Sequence, residues 1–280
     1  VTKNDETNMI VCQLASSLFN ISKKIARIRS KEFLEGKWSK LYNKSNIPID
    51  VIISPEREVA KSLFRKLEAP GALDNVPFVK DKVKLLEILI EKKCPIANIP
   101  LKDLSKKFPE FKAYIFGAER KENFVFLKKN DHMKVGDKVY VVVSTDQINK
   151  LLSVFGHNEK VAKKILIIGG GNIGLHLAKL LESTEGLRVK IIEKNKNRAE
   201  QIAGELSSSI VICGDPLDEK ILKEANIEEV ETVFALTDDD EDNIMSCVLA
   251  EKYTPSKRTI AIINKQNYNL LQESLKIDDL

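Results

Sequence analysis

Residues 164–174 run Lys-Ile-Leu-Ile-Ile-Gly-Gly-Gly-Asn-Ile-Gly, an aliphatic stretch that ends abruptly in glycine. Four consecutive aliphatic residues, Ile165 to Ile168, are the pattern of a strand buried on both faces, as in a parallel sheet. Gly169, Gly171 and Gly174 then set G-x-G-x-x-G at the point where strand turns into helix. Gly169 permits the tight turn, Gly171 lets the backbone approach a pyrophosphate, and Gly174 lets the helix pack closely. Ile173, Leu177, Leu180 and Leu181 give the following helix an apolar stripe. Its N-terminus, with Asn172 and Ile173 in the first turn, offers unpaired N–H groups and a positive dipole end to phosphate.

Glu193 ends the next strand pattern, about 20 positions on, where a carboxylate accepts hydrogen bonds from a ribose 2′-hydroxyl. It repels a 2′-phosphate, so NAD or NADH, or an adenine nucleotide such as ATP or ADP, is favoured over NADP(H). Lys194 and Arg198 beside it pull the other way without reversing that preference. The pattern then continues as strand–helix units, the signature of a doubly wound α/β sheet. Ile210–Cys213 reads as the third strand, ending in Gly214-Asp215-Pro216-Leu217-Asp218 on the ligand-binding edge. Asp215 there either contacts the adenosine side of a ligand or caps the helix 218–224. The fourth strand, 232–236, delivers Thr237 and Asp238 to the same edge. A helix at 243–252, a fifth strand at 259–263 and a sixth beginning near Leu280 complete the expectation.

The front of the chain repeats part of this pattern. Val1 to Cys12 matches Leu236 to Cys247 at a constant offset of 235 residues, with Thr2 on Thr237, Asn8 on Asn243 and Cys12 on Cys247. Leu14-Ala15 and Ile25 to Ile28 continue the register. Acidic residues alone favour helix N-termini, but that does not explain shared Thr, Asn and Cys positions. The register expects residues 1–71 to be the C-terminal half of a first Rossmann-type unit, entered just past its fourth strand, so that the sequence is a piece of a longer tandem. A helix over 29–38 and a strand over 49–53 lead to Ser54-Pro55-Glu56, a helix start with Ser as cap. Val59, Ala60, Leu63, Phe64 and Leu67 share one face of that helix before Pro70-Gly71 stops it. Helical spacing leaves open whether this face packs on its own domain or crosses over to a second subunit.

Residues 76–156 form a smaller α/β unit: a strand at 83–90, a helix at 101–107, a hairpin of 113–118 with 124–127, a strand at 138–143 after Val135-Gly136-Asp137, and a helix at 145–155. Residues 160–280 form the second Rossmann-type unit. His132 lies in a polar loop with nothing nearby to orient it for proton transfer. Cys12, Cys94, Cys213 and Cys247 form no C-x-x-C pair and suit reduced thiols. No metal-ligand cluster and no catalytic residue can be assembled from these spacings. With 45 basic against 41 acidic residues spread along the chain, nucleic acid is not an expected partner. No apolar run approaches the about 18 residues that span a bilayer, so direct membrane insertion is not expected.

Together, Gly169–Gly174, Glu193, Gly214-Asp215, Leu236-Thr237-x-x-Asp240-Glu241-x-Asn243 and Ile52 to Glu56 resemble the RCK (KTN) domain family, with residues 76–156 similar to its C-terminal subdomain. The resemblance covers essentially the whole chain. It implies a non-catalytic cytoplasmic subunit, peripheral to the inner face of the cell membrane, that assembles as a homo-oligomeric ring beneath a Trk-type potassium channel and responds to nucleotide. Carried onto this sequence, it implies that Gly169, Gly171, Asn172, Ile173 and Gly174 hold phosphates, that Glu193 holds ribose, and that Asp215 meets the adenosine side, with Lys194, Arg198 and Pro216 close by. Thr237 and Asp238 border the second half of the ligand. Thr2, Asp5, Glu6 and Asn8 match the same edge in the first copy, without its glycine loop. The other function that the fingerprint allows is an NAD-dependent oxidoreductase.

Overall fold

The computed structural model describes residues 2, 4–19, 21–34, 36–43, 45–109, 112–121, 123–159, 161–253 and 258–265. The elements of the first unit are α1 (Asp5–Phe19), β1 (Ile25–Arg27), α2 (Lys31–Leu34), α3 (Gly36–Ser39), β2 (Val51–Ile53) and α4 (Pro55–Glu68). β1 and β2 pair in parallel, Ala26 opposite Ile52. The single helix expected over 29–38 is two short ones, α2 and α3. The strand expected from residue 49 starts at Val51. Ser54 precedes α4 with extended backbone, but its hydroxyl makes no capping bond and is buried without a partner. What starts α4 is Pro55 in its first turn, with Glu56 and Glu58 on the positive dipole end and Arg65 and Lys66 on the negative one.

The middle unit contains β3 (Asp74–Phe78), β4 (Val83–Leu89), α5 (Leu101–Lys107), β5 (Ala113–Arg120), β6 (Asn123–Phe126), β7 (Lys138–Ser144) and α6 (Ile148–Phe155). Its sheet is antiparallel, in the order β3-β4-β7-β5-β6. Burial alternates along β4 and β7, so one face packs on α6 through Leu86, Ile88, Val141, Leu151 and Phe155. β3 was not anticipated: its Pro77 argues against a central strand and is tolerated because β3 is an edge. The helix expected from Thr145 opens as a 3-10 turn, Thr145–Gln147. Asp137, at the turn before β7, is anchored by two bonds from Arg120, Nε to Oδ1 at 2.8 Å and Nη2 to Oδ2 at 2.7 Å. Burial would raise its carboxyl; the Arg120 guanidinium and the Lys134 N–H outweigh that and hold it low.

The last unit runs β8 (Lys164–Ile168), α7 (Asn172–Glu182), β9 (Arg188–Glu193), α8 (Lys196–Glu205), β10 (Ile210–Cys213), α9 (Glu219–Glu224), β11 (Thr232–Ala235), α10 (Asp240–Tyr253) and β12 (Arg258–Ala261). The five strands are parallel in the order β10-β9-β8-β11-β12. That is the doubly wound arrangement, with its switch point beside β8, where chain direction places ligands at the carboxyl edge. α10 starts at Asp240 rather than at the expected residue 243, so Asp240, Glu241 and Asp242 are its first turn. The expected sixth strand lies outside the described residues.

α4 settles the question that its spacing left open. Ala60, Leu63 and Leu67 are buried against Leu177, Ala178 and Leu181 of α7. The buried face of the helix therefore crosses to the second parallel unit of its own chain rather than staying on its own sheet. Arg258, at the start of β12, donates from Nη1 to Lys66 O at 2.7 Å, and Asn75 of β3 donates from Nδ2 to Arg65 O at 3.3 Å. Lys84 of β4, almost fully buried, pairs with Glu68 at 2.8 Å. The end of α4 is thus tied to β3, β4 and β12 by polar contacts.

Candidate functional site

The glycine loop lies between β8 and α7, and its geometry assigns each glycine a reason. Gly169 has φ of +102°, and a Cβ there would stand 2.9 Å from the Leu236 carbonyl and the Thr237 nitrogen. A Cβ on Gly174 would stand 2.1 Å from Gly169 O. Gly171 is different: no atom lies within 4 Å of its would-be Cβ, and its φ of −62° suits any residue. It faces an open cleft of about 520 Å³. Gly171 is also the N-cap position of α7, so the first N–H groups of the helix have no partner within the helix.

On the β9 side, Glu193 is half-buried and already engaged. Oε2 accepts from Gly170 N at 2.8 Å and Oε1 from Asn195 N at 2.8 Å. Lys194 turns away to Asp215, Nζ to Oδ2 at 2.6 Å. That bond and the Leu217 N–H lower the Asp215 carboxyl, and the same pair raises the Lys194 amine. The helix cap belongs to Asp218, which accepts from Lys220 N at 2.8 Å. Asp215 therefore shapes the turn, through Leu217 N at 3.0 Å.

On the β11 side, Asn243 is fully buried and holds the edge together. Its Oδ1 accepts from Thr237 N at 2.9 Å and from Thr237 Oγ1 at 2.8 Å. Its Nδ2 donates to Thr237 O at 3.1 Å and Ile262 O at 2.9 Å. Asp240 accepts from Asn264 N at 3.0 Å and Lys265 N at 2.9 Å. Burial would raise Asp240, but these N–H donors outweigh it and keep the carboxyl low. The first copy reproduces the network at the same offset of 235. Thr2 N donates to Asn8 Oδ1 at 2.7 Å, Asn8 Nδ2 to Arg27 O at 2.9 Å, and Arg29 N and Ser30 N to Asp5 Oδ2 at 2.8 and 2.7 Å.

Nine of the twelve sequence-predicted site residues line the cleft: Gly169, Gly171, Asn172 and Ile173 from the loop, Glu193, Lys194 and Pro216 from the β9–β10 side, and Thr237 and Asp238 across it. Gly174, Arg198 and Asp215 do not. Gly174 packs under the loop, and Arg198 stands behind it. Asp242, Ile262 and Asn264 also line the cleft and follow from its position on the carboxyl edge. Glu56, contributed by α4, carries no local sequence signal. It pairs with Arg27 at 2.9 Å through Oε1, and its Oε2 is buried without a partner. A cleft of equal volume in the middle unit, around Phe108, Lys112 and Leu151, has no glycine and no carboxylate among its lining residues. Among the described residues, no group of three His, Cys, Asp or Glu is placed to hold a metal ion. No described helix is long and apolar enough to cross a membrane.

Comparison with known proteins adds to this geometry. Residues 165–280 match the TrkA-N domain family and residues 85–156 the TrkA-C domain family. A Trk system potassium uptake protein TrkA of Azorhizobium caulinodans is 42% identical over 279 residues, spanning 99% of this chain and 61% of the relative. The TrkA of Vibrio alginolyticus is 37% identical over 278 residues, with 99% and 60% covered. A trkA homolog 1 of Methanosarcina mazei is 30% identical over 284 residues, with 99% and 68% covered. The chain thus spans about 60% of the length of the first two. Among solved structures, the GsuK channel superposes with a TM-score of 0.68 at 17% identity, covering 99% of this chain and 47% of its own. The GsuK channel bound to NAD gives 0.66 at 16%, with the same coverage. At such identity the likeness concerns the fold.

Proposed function

Since the chain belongs to the TrkA family of Trk potassium-uptake proteins, we propose that it is a regulatory nucleotide-binding part of such a system, working at the cytoplasmic side of a Trk-type membrane subunit within a homo-oligomeric ring. The cleft takes NAD or NADH, or an adenine nucleotide. The N–H groups of Gly171, Asn172 and Ile173 and the dipole of α7 hold the phosphates. Glu193 keeps lone pairs for the ribose hydroxyls beyond its two backbone bonds. Pro216 and the Lys194–Asp215 pair border the adenosine side, and Thr237 and Asp238 the other half. The observation that carries this reading is Gly171: its missing side chain serves no contact within the protein, only the approach of something in the cleft.

The same cleft argues against turnover. A hydride-transfer site needs an acid or base held beside the nicotinamide. The ionisable groups lining this cleft are Glu56, Glu193, Asp238, Asp242 and Lys194. Glu193 is bound to backbone, Lys194 to Asp215 and Glu56 to Arg27, and no histidine is among them. Regulation instead needs a ligand that prefers one arrangement of the units; equal affinity for both shifts nothing. α4 supplies the connection, with Glu56 in the cleft at one end and its last carbonyls held by Arg258 and Asn75 at the other.

Calorimetric titration of the chain with NADH, NAD, ATP and ADP, followed by co-purification with a Trk-type membrane subunit with and without the tightest ligand, tests the proposal. Saturable binding together with ligand-dependent co-purification is the expected result. No binding by any of the four, or steady turnover of a hydride donor, refutes it.

A further inference from the structure

Arg198 stands beside the glycine loop and does not line the cleft. Its Nε donates to Gly170 O at 2.8 Å, Nη1 to Gln201 Oε1 at 2.9 Å, and Nη2 reaches Asn172 Oδ1 at 3.5 Å. On the other side of the same residue, Gly170 N donates to Glu193 Oε2 at 2.8 Å. Gly170 is therefore gripped at both ends, its N–H by a carboxylate and its C=O by a guanidinium. It also has to be glycine for a reason separate from phosphate binding. A Cβ there would stand 2.5 Å from Ile202 Cδ1 and 2.9 Å from Glu193 Oε2, wedging the grip open.

The Arg198 bond fixes which way the 170–171 peptide points: with its C=O drawn to Arg198, the Gly171 N–H of the same planar unit turns to the opposite side. A carbonyl oxygen turned toward the cleft would present a partial negative charge to a pyrophosphate, beside the N–H groups meant to receive it. We propose that Arg198 is a positioning residue: with Glu193 it clamps Gly170 so that the loop presents donors only, and it does not itself contact the ligand. This rests on the reading of the cleft as a nucleotide site. It assigns Glu193 a structural duty toward Gly170 in addition to any ribose contact. It also gives Arg198 a role that a charge-based view of a basic residue near phosphate would miss. The planar fork suits the task because three differently directed acceptors are met from one side chain, which an ammonium cannot do.

The test uses the full chain and the variants Arg198→Gln and Arg198→Lys, with NADH and adenosine as probes. Losing one charge-assisted hydrogen bond predicts that Arg198→Gln binds NADH about tenfold more weakly while adenosine, which lacks the pyrophosphate, changes less than about twofold. Because the role is geometric, the NADH loss is the same at low salt and at about 0.5 M KCl. Arg198→Lys, which keeps the charge, is expected to lose most of the same affinity. Without any ligand, amide exchange at Gly170 is expected to quicken about tenfold in both variants. If Arg198→Lys matches wild type in binding and exchange, or the Arg198→Gln loss vanishes at high salt, Arg198 is a direct charge contact and the inference falls. If wild type binds no NADH, the nucleotide reading fails, and unchanged Gly170 exchange in the variants separately rules out the clamp.

Discussion

Replacing Gly171 with aspartate separates binding from folding at the one loop position where the two make opposite demands. The new Cβ meets no protein atom within 4 Å, and the backbone at φ −62° and ψ −170° accepts any side chain. Position 171 is the N-cap of α7, where aspartate is preferred over glycine by a few tenths of a kcal/mol. The variant is thus expected to melt at or slightly above the wild-type temperature. For a phosphate on the helix N-terminus the result is the reverse. A carboxylate about 4 Å from a phosphate costs about 4 kcal/mol at an effective dielectric of about 20. The cleft is open to solvent, so screening leaves about 2 kcal/mol, or about a 30-fold loss of affinity. Paired calorimetric titration with NADH and thermal melting measure both quantities. Gly174→Ala is the contrast: its Cβ would stand 2.1 Å from Gly169 O, so it should lower the melting temperature itself. Nucleotide affinity of Gly171→Asp within about twofold of wild type, with an intact fold, refutes the phosphate reading of the loop.

Glu182 predicts an acid limb of stability. Burial would raise it, but the N–H groups of Ser207, Ser208 and Ser209 outweigh that and bring it to about 2. Its folded value lies below the unfolded one, so its contribution is present above about pH 4.5 and is lost as pH falls toward 2. The ceiling is about 3 kcal/mol, and urea midpoints from pH 6 downward should fall less steeply in Glu182→Gln than in wild type. Lys84→Ala strands Glu68 and empties a buried site, costing about 2–4 kcal/mol, whereas Lys84→Met should cost less than half of that; chemical denaturation compares them. Asn243→Ala removes a fully buried hub bonded to Thr237 and Ile262, with an expected loss of about 2–3 kcal/mol and weaker nucleotide binding. Asn8→Ala breaks the matching hub in the first copy and should cost stability while leaving the affinity of this cleft unchanged, as the same two assays report.

What could be read from sequence divides along a physical line. The second parallel sheet was legible because its strands are buried on both faces, so Ile165 to Ile168 and Val233 to Leu236 had no polar residues to disguise them. The glycine loop was legible because Gly169 and Gly174 answer steric demands that no other residue meets. Elements whose cause is tertiary were not. α4 has an ordinary amphipathic face, and nothing in its spacing states that α7 is what covers it. β3 carries Pro77 and needs β4 beside it to be a strand at all. Glu56 reaches the cleft only because α4 crosses over, and Arg198 turns to a carbonyl because β9 and the loop bring Gly170 within reach.

The repeat shows the same line from the other direction, since it was legible for a reason that only the structure states. An apolar position can exchange for a residue of similar volume, as Met9 does where the second copy has Ile244, although Cys12, Ala26 and Ile28 are kept as Cys247, Ala261 and Ile263. Polar groups bonded into one buried network exchange less readily, because each donor and acceptor needs its particular partner. Asn243 satisfies four bonds with one amide, to Thr237 and to the exit of β12, and Asp240 takes two N–H groups from the residues just beyond. Asn8 and Asp5 join the start of α1 to the exit of β1 in the same way. Thr, Asp and Asn therefore recur in register as parts of one hydrogen-bonded joint between a helix start and a strand end. In the second copy that joint sets Thr237, Ile262 and Asn264 on the wall of the cleft. Asp240 and Asn243, which helped to make the repeat visible, thus also hold one side of the proposed nucleotide site in place, without themselves lining the cleft.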